Sequence, residues 1–184
     1  VVEGRKMFEE VPSEWLSKVY VSERFLEEPE AEQLLAGKIY EVVADAVFKS
    51  ISDTQTPQGI LCLVRMPQYP LSDLLRGDRT HLLIVESIQD PGNLGTILRT
   101  ADALEIPVVM TEGCADPYSP KTIRASMGAV FRTRPVLTAQ DQVIAESRRQ
   151  NLPLYATALS SDARDLREIC LAEGIVVIGS EGRG

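Results

Sequence analysis

His81-Leu82-Leu83-Ile84-Val85, followed by Asn93-Leu94-Gly95-Thr96-Ile97-Leu98-Arg99-Thr100-Ala101, is the stretch on which the fold turns. The first run is apolar without alternation, the pattern of a strand covered on both faces. The second carries apolar residues at 97, 98, 101 and 104, and this spacing predicts a helix from about Leu94 to Leu104. The alternation continues downstream. Pro107–Met110 reads as a strand, Ala129–Arg132 and Pro135–Leu137 as extended, and Ala139–Gln150 as a helix. Leu154–Ala158 reads as a strand, Arg164–Ala172 as a helix and Ile175–Ile178 as a last buried strand. Strand and helix in regular succession predict an α/β fold, a mostly parallel sheet with helices on both faces.

Upstream, the pattern is that of a small α/β unit over residues 1–66. Residues 3–11 and 30–37 read as helical, Lys18–Val21 and Ile39–Val43 as strands, and Ala44–Ser50 as a short helix. Thr56-Pro57-Gln58-Gly59 is a turn signal ahead of the apolar run Ile60–Val64. Met66-Pro67-Gln68-Tyr69-Pro70 breaks the pattern, and residues 67–79 read as a linker to a second unit over 80–184. The chain begins at Val1 and stops at Gly184, and it reads as part of a longer protein.

Composition narrows the function classes. Nineteen basic against 27 acidic residues give a net charge of −8, which argues against a protein that coats nucleic acid without selectivity. The charge is uneven. Pro117 to Gln140 holds no acid, and Lys121, Arg124, Arg132 and Arg134 all fall there, so a local basic face is compatible with the acidic total. No apolar run reaches the length of a membrane span and no secretory signal is visible, so a cytoplasmic protein is expected. Cys62, Cys114 and Cys170 form no Cys-x-x-Cys pair and His81 is the only histidine, so no metal site is expected and the thiols read as reduced and packed.

In parallel sheets, ligands sit beyond the carboxyl ends of the strands. Two loops fall there. Glu86 to Gly95 leads into the Arg99 helix, and Gly179-Ser180-Glu181-Gly182-Arg183-Gly184 follows the last strand. The first also reads as a plain turn with Asn93 as helix cap and Arg99 paired to Asp102. A P-loop is excluded, because no Gly-Lys-Ser/Thr follows the glycines. In the second, three glycines in six residues let backbone approach a ligand closely, although a plain turn has the same composition. Between them, Ser119-Pro120 opens a helix on which Lys121 and Arg124 share a face.

Taken together, these segments resemble the SpoU family of the knotted SPOUT RNA methyltransferases. Asn93 to Ala101 is similar to its first motif, Asn-x-Gly-x-x-x-Arg-x-Ala; Lys121 to Phe131 to its middle segment; and Ile178 to Gly184 to its second motif. Val1-Glu3-Gly4 is similar to the start of the family's small RNA-binding domain. The third motif, which completes a trefoil knot, part of the cofactor pocket and much of a homodimer interface, is expected beyond Gly184. The resemblance implies methyl transfer from S-adenosylmethionine to a ribose 2′-hydroxyl, with Arg99, Asn93 and Glu181 catalytic. It implies an adenosine pocket from Ile178, Gly179, Ser180 and Gly182, and it makes Lys121, Arg124 and Arg132 the candidates for RNA phosphates. Ribosomal RNA is preferred over transfer RNA as substrate, because a separate RNA-binding unit suits a large folded target. A non-catalytic RNA-binding protein on the same scaffold, and a transfer-RNA enzyme, are the alternatives.

Overall fold

The computed structural model describes residues 1–74, 81–171 and 174–180. Its first unit holds β1 (Val2–Glu3), α1 (Arg5–Glu10), β2 (Leu16–Ser22), α2 (Glu23–Leu26), α3 (Ala31–Leu35), β3 (Glu41–Val43), α4 (Asp45–Ile51) and β4 (Ile60–Val64). The strands form one sheet in the order β1-β4-β2-β3, in which β2 and β3 are parallel and β4 is antiparallel to β1 and β2. Glu3 lies in a strand, not at the start of the helix expected over 3–11. The strand expected from Ile39 shortens to three residues at the sheet edge, where Ile39 is exposed.

The segment after the first sheet is not a bare linker. Leu71–Leu74 forms a helical turn, α5, and Leu74 is buried against the second sheet. That sheet takes β5 (His81–Val85), α6 (Pro91–Ala103), β6 (Val108–Met110), α7 (Pro120–Ala125), α8 (Ala129–Thr133), β7 (Val136–Leu137), α9 (Gln140–Gln150), β8 (Leu154–Ala156) and β9 (Gly174–Ile178). Its order is β7-β6-β5-β9-β8 and every pairing is parallel. Alternate residues of the strands face opposite ways. Val85, Val108 and Met110 join the layer of α6, α7 and α8, while Leu82, Ile84, Val109 and Ile175 join that of α5 and α9. The predicted α/β class, with helices on both faces, is therefore what the chain adopts.

Two further elements differ from expectation. Ala129–Thr133 is a helix, because a short apolar run does not separate a strand from a buried helical turn. Residues 164–171 hold only a 3₁₀ turn at Leu166–Glu168, where Asp165 accepts from the Arg167 N–H at 2.9 Å. Leu166 there is 66% exposed, so no apolar face is buried to stabilise a longer helix.

The two units share one apolar cluster. Met7, Phe8 and Val11 of the first pack with Ile123, Val130 and Phe131 of the second. Trp15 meets Phe131 edge to face at 6.0 Å between centroids. Burial pushes the Cys62 thiol up to about 12, Cys114 is half-buried and donates to the Val85 carbonyl at 3.3 Å, and Cys170 is exposed, contrary to the packed role expected for all three. Because the thiolate is the reactive species, iodoacetamide at mildly alkaline pH should modify Cys170 first and Cys62 only after unfolding. Mass spectrometry of the alkylated peptides checks this order.

Candidate active site

The site is built at the carboxyl ends of β6, β5 and β9. The β5–β9 register runs to Val85↔Ile178, and the Glu86 N–H donates to the Ile178 carbonyl at 2.9 Å. The loop leading to α6 and the loop that begins at Gly179 therefore leave the sheet side by side. The loop after β6 braces the first: Thr111 N–H donates to Val85 O at 3.0 Å and Ala115 N–H to Ile88 O at 2.8 Å. Gly113, at φ 89, lets this loop approach Ser87, whose own φ is 53. A Cβ on Gly113 would sit 3.2 Å from the Ser87 hydroxyl.

The α6 helix starts three residues earlier than its apolar pattern predicts. Asp90, not Asn93, is the cap; its carboxylate accepts from the Asn93 N–H at 2.8 Å. Pro91 occupies the first helical position, where its missing N–H costs nothing. Asp90-Pro91-Gly92 carried that signal in the sequence. Asn93 lies in the first turn of α6, in the loop cluster.

Gly95 explains why the motif needs a glycine. A Cβ there would lie 2.4 Å from the Ala125 Cβ and 2.8 Å from the Ala125 carbonyl carbon and the Ser126 nitrogen. The α7 backbone thus rests directly on α6. Ser119 holds the start of α7, accepting from the Thr122 N–H at 3.2 Å, and the buried Thr122 hydroxyl donates to Asp116 O at 2.9 Å. Arg99 follows Gly95 by one helical turn and so lies on the side of α6 nearest α7. It is exposed, and its guanidinium has no ion pair or hydrogen bond among the described residues.

The plain-turn alternative pairs Arg99 with Asp102, but Asp102 takes Arg132. The Arg132 Nε donates to Asp102 Oδ2 at 2.8 Å, and a second guanidinium nitrogen pairs with Glu10 of α1. Gly128, at φ 82, permits this docking, since a Cβ there would meet the Glu10 side chain at 2.8 Å. Arg132 is thus a clamp between the two units, which counts against its expected role on RNA phosphate. The clamp is partly exposed, so Arg132→Ala should cost only about 1 kcal/mol in a urea titration. RNA affinity should stay at the wild-type level.

Lys121 and Arg124 remain exposed on α7. Lys121 approaches Asp90 at 3.9 Å, a loose surface pair of little energetic weight. Ile178, Gly179 and Ser180 stand together at the end of β9, half-buried. Glu181 and Gly182 lie outside the described residues. On the α6 side of the sheet, Ile178 also lines an apolar cleft of about 450 Å³ with Leu83, Ile97, Ala101, Leu104 and Val176. Among the described residues, no cluster of histidine, cysteine or carboxylate side chains could hold a metal, and no helix is long and apolar enough to cross a membrane.

Residues 80–184 match the model of the SpoU rRNA Methylase family. The chain belongs to the SpoU rRNA methylase family. Residues 1–70 match a second model, RNA 2'-O ribose methyltransferase substrate binding. The SpoU chain is 32% identical over 145 residues to 23S rRNA (guanosine(2553)-2'-O)-methyltransferase RlmP of Bacillus subtilis (strain 168), covering 78% of this chain and 56% of that protein. Among solved structures, a TrmH-family RNA methyltransferase from Porphyromonas gingivalis superposes with a TM-score of 0.79 at 33% identity, over 99% of this chain and 72% of that one. An AdoMet-bound rRNA methyltransferase from Sinorhizobium meliloti does so with a TM-score of 0.81 at 26% identity, over 97% and 70%. The SpoU chain spans about half the length of the curated relatives it matches, from 44% to 57% for three of them.

Proposed function

We propose that the protein carrying this chain transfers a methyl group from S-adenosylmethionine to a ribose 2′-hydroxyl of RNA, with ribosomal RNA the preferred substrate. The observation that supports this most is the convergence at the β5–β9 edge, where the start of the Arg99 helix and the strand end at Ile178–Ser180 lie side by side. The likeness to an AdoMet-bound relative and to a 2'-O-methyltransferase acting on 23S rRNA adds the chemistry.

The residues at the end of β9 fit an adenosine. Ile178 offers an apolar wall, and Gly179, with no side chain, lets a ligand come close to the backbone beside Ser180. Bound there, S-adenosylmethionine supplies a methyl carbon already activated by its sulfonium. The chain's share of the work is then positioning and charge. A guanidinium is a hydrogen-bond donor and not a general base in proteins, so Arg99 is given a different part. We assign it to the phosphate beside the target ribose and to the oxyanion that develops as the 2′-hydroxyl loses its proton. Asn93 orients the site from the start of α6. Glu181 and Gly182 complete the proposed set, and Lys121 and Arg124 hold flanking phosphates. The 2′-hydroxyl is also what marks the acceptor as RNA.

Isothermal titration of the full-length protein with S-adenosylmethionine, ATP and NAD tests the reading. Binding of the first alone, with methyl incorporation into unmodified ribosomal RNA, is the expected result. Preference for ATP or NAD would sink it. A homodimer, implied by the family resemblance, belongs to the same proposal and is checked by light scattering.

A further inference from the structure

A cleft of about 420 Å³ runs along β7, the edge strand of the second sheet. Its size falls in the ~300–1,000 Å³ range of ligand pockets. Val136 points into the layer of α5 and α9, so Pro135 and Leu137 face the opposite way and line the cleft. Pro67 and Tyr69, from the segment joining the units, form another wall. Asp116, Pro117 and Tyr118 complete the lining. These three belong to the turn between the brace on Ile88 and the start of α7, so the cleft and the proposed transfer site share one loop. Leu137 is 61% exposed, which leaves an apolar wall open to solvent.

Three polar groups here are unspent. The Tyr118 ring lines the cleft, yet its hydroxyl is buried with no hydrogen-bond partner. Buried hydroxyls in proteins nearly always have one, and a group seated in the cleft would supply it. Burial pushes this hydroxyl up to about 12, which keeps it a hydrogen-bond donor at neutral pH. Asp116 Oδ1 accepts the Tyr118 N–H at 2.9 Å, and its other carboxylate oxygen is spare among the described residues. Arg134 is exposed and stands 5.8 Å from the centre of the Tyr69 ring; its guanidinium makes no ion pair or hydrogen bond among the described residues.

A carboxylate beside a hydroxyl donor, between flat walls, complements one base edge in particular. Guanine offers two adjacent N–H donors to a carboxylate and its O6 to a donor, whereas uracil offers a single N–H between two carbonyls. The tyrosine rings supply faces on which an unstacked base can lie. A guanidinium alongside suits the adjoining phosphate. A proline-rich peptide also packs on tyrosines, but proline has no N–H to give the Asp116 carboxylate. We propose that this cleft takes one unpaired guanine of the RNA, with Asp116 and Tyr118 on its Watson–Crick edge and Arg134 on its phosphate. The assignment rests on the RNA methyltransferase reading and adds to it a base-reading element in the second unit, beside the site of transfer.

The test uses the full-length protein and short unstructured RNAs of adenine and cytosine that carry one central guanine or uracil. The guanine RNA should bind about tenfold more tightly, as one well-matched base edge predicts. Tyr118→Phe and Asp116→Asn should each cut this preference to about twofold, the loss of single hydrogen bonds, with S-adenosylhomocysteine affinity unchanged. Glu112→Gln makes the charge change of Asp116→Asn in the same loop, outside the cleft, and should keep the preference. Urea denaturation separates recognition from structure. Tyr118→Phe removes a hydroxyl that has no partner in the free protein, so its midpoint should equal or exceed that of the wild type. A 6-thioguanine in the central position should photo-crosslink to the peptide containing Tyr118. The proposal is overturned if guanine and uracil bind alike, if the preference survives both substitutions, if Tyr118→Phe lowers the midpoint, or if a polyproline peptide binds at Tyr118 and the guanine RNA fails to displace it. In each case methyl transfer to ribosomal RNA by the wild-type protein would persist, so the enzymatic reading would survive. Failure of every RNA to bind, together with absence of methyl transfer in the wild type, would end both.

Discussion

Gly95→Ala is expected to destabilise the protein by about 2 kcal/mol and to remove most methyl transfer, although alanine is the better helix former. Two effects oppose each other. In the α6 interior, alanine gains about 1 kcal/mol over glycine. Against this, the added carbon would overlap the Ala125 side chain and the backbone at Ala125–Ser126. Backbone atoms at 2.8 Å cannot step aside as a flexible side chain would, so α7 must move off α6. Overpacking costs of about 1–3 kcal/mol or more are typical. The steric term therefore wins. Because α7 carries Lys121 and Arg124, and Arg99 sits one turn beyond Gly95, the same shift misplaces the proposed RNA contacts. Ala125→Gly in the Gly95→Ala background should recover part of the loss, since it removes the 2.4 Å contact but not the backbone ones. Chemical denaturation of the two single variants and the double variant measures that coupling. Additive effects would mean that the two residues do not press on each other.

Arg99→Ala should lower methyl transfer by about 100- to 1,000-fold, the range seen when one donor to a developing oxyanion is lost. Stability should hardly change, because Arg99 is exposed and makes no ion pair or hydrogen bond among the described residues. S-adenosylhomocysteine affinity should also stay constant, since the proposed adenosine contacts come from the end of β9. Arg99→Lys sharpens the test. Lysine keeps the charge but loses the planar fork that grips a phosphate with two parallel hydrogen bonds. A variant between alanine and wild type is expected. Single-turnover methylation at saturating RNA separates the chemical step from binding. A lysine variant as fast as wild type would disprove the bidentate role.

The second sheet was legible from sequence because its strands are covered on both faces and read as unbroken apolar runs; His81–Val85 and Val108–Met110 needed no other clue. What the residues themselves hid were contacts made across long chain separations. The Arg132 clamp joins Glu10 to Asp102, and no local pattern links three residues spread over 122 positions. The role of Gly95 was hidden for the same reason, since the constraint comes from α7 and not from α6 itself. Asp90 was readable in principle, but the apolar spacing starts only at Leu94 and drew attention to Asn93. The Ala129–Thr133 helix was misread because five residues carry too little periodicity to separate strand from turn. Of the proposed site, the sequence located Asn93, Arg99 and the end of β9, and the sheet register brings the two loops together.

The shared core of Phe8, Ile123 and Phe131, pinned at its margin by Arg132, has a mechanical consequence. The two sheets behave as the fixed jaws of a caliper, not as beads on a string. On the proposed function, an RNA held at one jaw would present to the other only the ribose that lies at the matching span, which makes the choice of nucleotide partly a measurement of length. Melting followed by calorimetry should accordingly show one cooperative peak, with both jaws lost together.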